Sequence, residues 1–313
     1  MVKLRKILFP TDFGESAEQA LRYAAMIAGK YGASLTIMHV VSMFGEGEDS
    51  AEKHLDEMAS FADRIADQMH AEADELIDRT IEEHAEKELE MRKLIVRGLN
   101  PHEEILRVAD DQEIDLIVMG TYGRGGVSHL LFGSTAEQVV RNADCPVLSV
   151  RHHAPHTTNM GKVRKILFPT DFSEFSKKAL PFAISIAERN DSELHVLHVF
   201  EQRIHPSFYI VDKSTPFDLD EGLRERALDA LDEFVYDELR ERIDFRCEVA
   251  SGKPFVEIIN YARANEIDLI VIATHGLTGL ESMIIGSTTE RVVRKAPCPV
   301  LSIRDPDHEY IEL

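Results

Sequence analysis

Residues 120–135 read GTYGRGGVSHLLFGST, a stretch that gathers five glycines (Gly120, Gly123, Gly125, Gly126, Gly133), one arginine (Arg124) and two adjacent hydroxyls (Ser134, Thr135). A loop this long between a strand and a helix is usually functional. Its glycines permit positive backbone dihedrals and a close approach of main-chain N–H groups to a ligand. The helix that follows offers unpaired N–H groups and the positive end of its dipole, which together suit an anion, above all a phosphate. Arg124 adds a mobile cation. A second candidate is Asp12, which follows a short apolar run and Pro10-Thr11.

Both features have a plainer reading. Ser134-Thr135-Ala136-Glu137 spells a capping box, S-x-x-E, and Ser287-Thr288-Thr289-Glu290 repeats it. Asp12, with Glu15 three residues on, is a possible N-cap. A capping box explains Ser134 but not five glycines before it.

The elements that must position these residues alternate. Residues 6–9 form a short strand, and residues 15–30 carry alanines and leucines at helical spacing. Residues 34–41, 89–96, 115–119 and 146–150 read as further strands, and residues 101–109 and 134–142 as helices. Residues 50–88 contain neither Gly nor Pro and mark one apolar face of a long helix. Strands separated by helices imply a parallel sheet covered on both faces, with ligands beyond the carboxyl ends of the strands.

The pattern occurs twice. RKILFPTDF stands at 5–13 and again at 164–172; EIDLIV and CPVLS also recur. The opening repeat is offset by 159 residues and the later ones by 153, so the second copy is six residues shorter between them. The polar stretch HHAPHTTNMG at 152–161 reads as a linker, giving domains at 1–151 and 162–305.

A net charge of -21 disfavours nucleic acid and anionic membranes. Between positions 45 and 90 there are 17 acids and 4 bases, which reads as a solvated helix face. No apolar run is long enough to span a bilayer, and residues 7–10 are too short for a signal sequence, so a cytoplasmic protein is expected. Three scattered cysteines make no disulfide framework; Cys145 and Cys298 read as small buried hydrophobes. The histidines of the linker lack a rigid frame for a metal, and no metal is expected there. His39 and His198, at the end of the second strand of each copy, read as satisfied, partly buried side chains near a ligand.

Gly120, Gly123, Gly133 and Ser134 fit the pattern G-x2-G-x9-G-[ST], and the copy opens in KILFPTDF and closes in CPVLSVR. In these features the chain resembles the universal stress protein family, over nearly its whole length. The resemblance implies an α/β fold of two tandem doubly wound domains, each a five-stranded parallel sheet ordered 3-2-1-4-5. It further implies the family's ATP-binding branch: Pro10, Thr11 and Asp12 near adenosine, Val40 beside adenine, Met119, Gly120, Thr121, Tyr122, Gly123, Arg124, Gly125 and Gly126 around ribose and phosphates, and Gly133, Ser134 and Thr135 on phosphate oxygens. Mg2+ is a possible companion of ATP.

The second copy departs from the pattern. Its corresponding residues are Pro169, Thr170, Asp171, Val199, Ala273, Thr274, His275, Gly276, Gly279, Gly286, Ser287 and Thr288, with Ala273 in place of Gly120 and Leu277 in place of Arg124. The added Cβ and the lost guanidinium predict a weaker second site. The string G-x-x-x-x-G-K-[ST] and an activated nucleophile are lacking, so an ATP-dependent regulator with at most slow hydrolysis is expected. The alternatives are an ATP-hydrolysing or nucleotidyl-transferring enzyme of the adenine-nucleotide hydrolase-like fold, or a scaffold using the acidic helix. The last strand of each copy should lie at a sheet edge, and pairing there predicts an intrachain pseudo-dimer or a homodimer.

Overall fold

The computed structural model describes residues 3–42, 60, 90–121, 133–151, 163–201, 221–239, 242–275 and 286–304. The chain divides into two compact units, Lys3–His153 and Ala154–Leu313. The first contains β1 (Lys6–Pro10), α1 (Glu15–Tyr31), β2 (Ser34–Ser42), β3 (Met91–Gly98), α2 (Pro101–Asp111), β4 (Leu116–Gly120), α3 (Ser134–Asn142) and β5 (Val147–Val150). The second contains β6 (Lys165–Thr170), α4 (Glu174–Asn190), β7 (Glu193–Glu201), α5 (Glu221–Leu239), β8 (Phe245–Gly252), α6 (Pro254–Ala264), β9 (Leu269–Ala273), α7 (Ser287–Lys295) and β10 (Val300–Ile303).

Strand order in the first unit is β3-β2-β1-β4-β5, and in the second β8-β7-β6-β9-β10. Both follow the expected order 3-2-1-4-5, with parallel pairing. Consecutive residues of β1, β4, β6 and β9 are buried, which requires cover on both faces. Phe9, Ile7, Leu8, Ile37 and Ile117 are fully buried in the first unit; Phe168 and Phe182 are in the second. The third strand runs from Met91 to Gly98, shifted two residues toward the C-terminus from its predicted limits. The predicted helix at 50–88 and the linker histidines lie outside the described residues.

Sequence repeats have visible structural roles. The aspartate of EIDLIV clamps the start of the first strand: Asp115 Oδ2 accepts from the Arg5 and Lys6 N–H groups at 2.6 and 2.9 Å. Asp268 does the same for Arg164 and Lys165, at 2.8 and 3.0 Å. These bonds set the stagger of the central strands, and with it the level at which Pro10-Thr11-Asp12 emerges. α1 ends at Gly32 (φ 63), whose left-handed backbone stops the helix and turns the chain into β2.

Cys145 and Cys298 are buried free thiols, as expected, and burial pushes Cys145 up to about 12. No described helix is long and apolar enough to cross a membrane.

Candidate functional site

The repeated Pro-Thr-Asp-Phe builds the same turn in each unit. Thr11 Oγ1 accepts from Phe13 N–H at 3.0 Å, and Asp12 Oδ1 accepts from Gly14 N–H at 3.0 Å. Thr170 Oγ1 and Asp171 Oδ1 repeat both bonds, to Phe172 and Ser173. Phe13 and Phe172 sit at φ 61 and 62, left-handed values that a bulky residue adopts only when its surroundings hold it there. The holding contacts are the hydroxyl and a ring packed on histidine: Phe13 on His39 at 4.6 Å, Phe172 on His198 at 4.5 Å.

This geometry corrects the reading of Asp12 as a helix cap. The N-cap of α1 is Gly14, without a side-chain cap, and that of α4 is Ser173, which accepts from Ser176 N–H. Asp12 and Asp171 brace the turn ahead of the helix instead.

The histidines are fixed by a neighbouring strand end. His39 Nδ1 lies 2.8 Å from the Thr11 carbonyl, and His198 Nδ1 lies 2.9 Å from the Thr170 carbonyl. A carbonyl only accepts, so Nδ1 carries the proton and Nε2 is the acceptor in the neutral ring. Burial holds His198 below the ordinary histidine value, against the opposing pull of the Thr170 carbonyl and Asp171.

In the second unit a cleft of about 420 Å³ opens at the carboxyl ends of β6, β7 and β9. Pro169, Thr170, Asp171, Val199, Ala273, Thr274, His275, Gly286, Ser287 and Thr288 all line it. Sequence reasoning missed other contributors, among them Pro254 and Ile258 from α6, Leu197, Phe200 and Glu201 from β7, and Ile272 from β9. Their signal was weak, because apolar residues at strand ends and first helical turns serve packing everywhere.

The long loops start and finish at paired points. Gly133 N–H donates to the Thr121 carbonyl at 2.9 Å, and Gly286 N–H donates to the Thr274 carbonyl at 2.8 Å. Each helix thus begins beside the end of the fourth strand. Gly133 and Gly286 are the N-caps of α3 and α7, with no side-chain cap, so Ser134 and Ser287 are not the caps of a capping box. Their hydroxyls are not spent on capping. Tyr122, Gly123, Arg124, Gly125, Gly126, Gly276 and Gly279 lie outside the described residues. Pro10 closes β1, Val40 lies two residues before the end of β2, Met119 is buried in β4, and Thr135 is in the first turn of α3.

Two details distinguish the halves. Gly120 has no positive φ; a Cβ there would meet the backbone of Ser16 in α1 at 2.9 Å. Strand-to-helix packing thus asks for glycine at this position, a reason that the motif alone does not show. Thr121 Oγ1 is buried without a hydrogen-bond partner among the described residues, whereas its counterpart Thr274 Oγ1 lies 3.0 Å from His275 Nδ1. The His275 ring packs on Phe175 at 5.4 Å.

Twice in one chain, then, a doubly wound α/β unit gathers its turn residues, its loop ends and a helix N-terminus at the carboxyl edge of the sheet. The universal stress protein family profile matches residues 3–151 and 162–304, and the chain belongs to that family. It is 34% identical over 146 residues to a universal stress protein of Methanocaldococcus jannaschii, covering 47% of this chain and 85% of that one. It is 28% identical over 145 residues to the Bacillus subtilis protein YxiE, covering 45% of this chain and 98% of that one. Among solved structures, a putative universal stress protein from Pseudomonas aeruginosa UCBPP-PA14 aligns with TM-score 0.62 at 19% identity, covering 96% of this chain and 93% of that one.

Proposed function

We propose that this tandem universal stress protein binds ATP at the carboxyl edge of each sheet and acts as a nucleotide-dependent regulator. The observation that carries the reading is the cleft in the second unit, with Asp171 on one side and the N-terminus of α7, with Ser287 and Thr288, on the other. It is large enough for a nucleotide. The apolar wall from Leu197, Pro254, Ile258 and Ile272 suits a base, and the helix N-terminus suits phosphate oxygens. In the first unit the orphaned Thr121 hydroxyl supplies a buried polar group for a ligand to satisfy.

Asp12 and Asp171 are the carboxylates that would face Mg2+ accompanying the phosphates, each already oriented by a backbone N–H. Bound Mg2+ would offset phosphate charge. The protein's own contribution is positioning, through an uncapped helix end, a braced aspartate and a histidine of fixed tautomer.

Binding without efficient turnover is the role proposed, in a cytoplasmic protein, with an intrachain pseudo-dimer or a homodimer through the last strands as a companion expectation. The test is isothermal titration of the full chain with ATP and Mg2+, beside Asp12→Ala and Asp171→Ala variants, followed by a turnover assay. Saturable binding reduced by each variant, with negligible hydrolysis, supports the reading; absence of saturable binding overturns it. Substrate-dependent release of AMP or pyrophosphate would make the protein an enzyme.

A further inference from the structure

At the opposite edge of the sheet, the amino ends of the strands, the two units differ in a way that nucleotide binding does not use. In the second unit, β6, β7 and β8 place Lys165 beside Glu193 and His195 beside Arg246. Glu193 is a partly buried anion there. Arg246 Nε donates to its Oε1 at 2.6 Å, and His195 Nε2 lies 3.2 Å from its Oε2. His195 is only 1% exposed and its Nδ1 lies 2.9 Å from the Tyr261 hydroxyl. Burial pushes Glu193 up, but hydrogen bonds from Arg246 and His195 outweigh it, leaving the carboxyl below its ordinary value. The surroundings thus favour an ionised carboxylate at this place.

The first unit keeps the cations and omits the anion. Its strand register pairs Lys6 with Ser34 and Thr36 with Arg92, which puts these four residues at the positions of Lys165, Glu193, His195 and Arg246. Pairing in register and alternation along the strand place all four on one face of the sheet. Where Glu193 and His195 stand in the second unit, Ser34 and Thr36 leave a pocket of about 390 Å³, bordered also by Lys93 and Leu94 of β3 and by Gln112 and Ile114 after α2. Among the described residues no carboxylate lines it. Lys6 Nζ is anchored at its mouth, 2.8 Å from the Gln112 carbonyl, just as Lys165 Nζ lies 3.0 Å from the Asn265 carbonyl. Arg92, lacking the internal partner, turns to the exposed rim residue Glu90, with Nε and Nη2 at 3.0 and 2.6 Å from Oε1.

We propose that the pocket bounded by Lys6, Ser34, Thr36 and Arg92 binds the carboxylate of a small-molecule ligand, in the place that Glu193 occupies in the second unit. The arginine fork matches a planar carboxylate, and ligand binding exchanges the solvated Arg92–Glu90 pair for a less exposed one. The Thr36 hydroxyl stands at the register position of His195 and is available to donate to the ligand. Ser34 contributes by being small. The ligand is a carboxylate rather than a phosphate because the duplicated site holds a monoanion, and because Glu90 and Glu113 at the rim already offset part of the cationic charge.

The experiment is a succinate titration of the nucleotide-free full chain at constant ionic strength, read from the Arg92 Nε–H resonance. A saturable shift is expected. Ser34→Glu, which installs the anion of the second unit, should weaken it by about tenfold or more, and Arg92→Gln should weaken succinate binding, read from backbone resonances of β2, to the same degree. Glu90→Gln, which removes the competitor, should tighten it by about threefold. Inorganic phosphate should bind at least about tenfold more weakly than succinate. The proposal is overturned if succinate produces no saturable shift, or if its affinity is unchanged in both Ser34→Glu and Arg92→Gln. Phosphate binding as tight as succinate overturns the carboxylate assignment. None of these readings depends on ATP, so failure here is distinct from failure of the nucleotide site.

Discussion

Gly120 and Ala273 end equivalent strands, and the difference between them looks, in a motif, like an intact site beside a damaged one. In the fold it is a difference in packing. The absent Cβ of Gly120 faces the backbone of Ser16 on α1, whereas Phe175 stands at the position of Ser16 in the second copy, its ring packed on His275. The second unit keeps a cleft lined by every described counterpart of the motif. A motif glycine can therefore report how near a helix lies to a strand, and its loss need not close the cleft.

The largest expected effect tests this directly. Gly120→Ala should destabilise the first unit by about 2 kcal/mol, because backbone at 2.9 Å cannot yield as a side chain can. Ala273→Gly should cost about 1 kcal/mol or less in the second unit. Urea unfolding of both variants measures this. If Gly120→Ala abolished nucleotide binding with stability intact, the glycine would belong to the ligand after all.

Acid should separate the halves next. His195 and His198 are held below their ordinary value of 6.5, in each case first by burial. The unfolded chain then binds protons that the folded second unit refuses, so their contribution is full above 6.5 and is lost as pH falls through the folded values. His195→Thr, which copies Thr36 of the first unit, should flatten that dependence. Thermal unfolding followed between neutral and mildly acid pH checks it; an unchanged slope would remove His195 from the account.

A smaller effect is expected at the turns. Asp12→Asn and Asp171→Asn keep an acceptor for the following N–H group, so nucleotide affinity should fall by roughly fivefold, about 1 kcal/mol, through lost charge. The fall should be similar in both units if the turns are equivalent, and calorimetry of each variant shows whether it is. Least of all, Ser134→Ala and Ser287→Ala should shift stability by no more than about 0.5 kcal/mol, since neither serine caps its helix. A loss of about 1 kcal/mol or more in denaturant would restore the capping role.

Much of the fold was legible because it rests on periodicities that the chain states locally. Buried parallel strands are continuously apolar, and their helices repeat alanines and leucines on one face. The order of the strands was available only through family resemblance, since no local pattern orders a sheet. At the site, Asp12 and the loop ends were legible as residue types and misleading as helix caps. S-x-x-E predicted a serine cap, but the chain reaches α3 and α7 through Gly133 and Gly286, whose extended backbone leaves the serine one position inside the helix. Pro254 and Ile258 were illegible as cleft residues, because their part in it depends on where α6 lies across β7.

By itself the sequence determined a duplicated α/β unit, the excess of acidic charge, and the residue types gathered where strands end and helices begin. Only the tertiary structure decided that Gly120 answers to Ser16, that Asp115 and Asp268 clamp the opening strands, and that Glu193 fills a place Ser34 leaves open. Burial and periodicity are properties of neighbouring residues, so sequence carries them. Close approach and charge pairing join residues distant in the chain, and strand register alone brings those together.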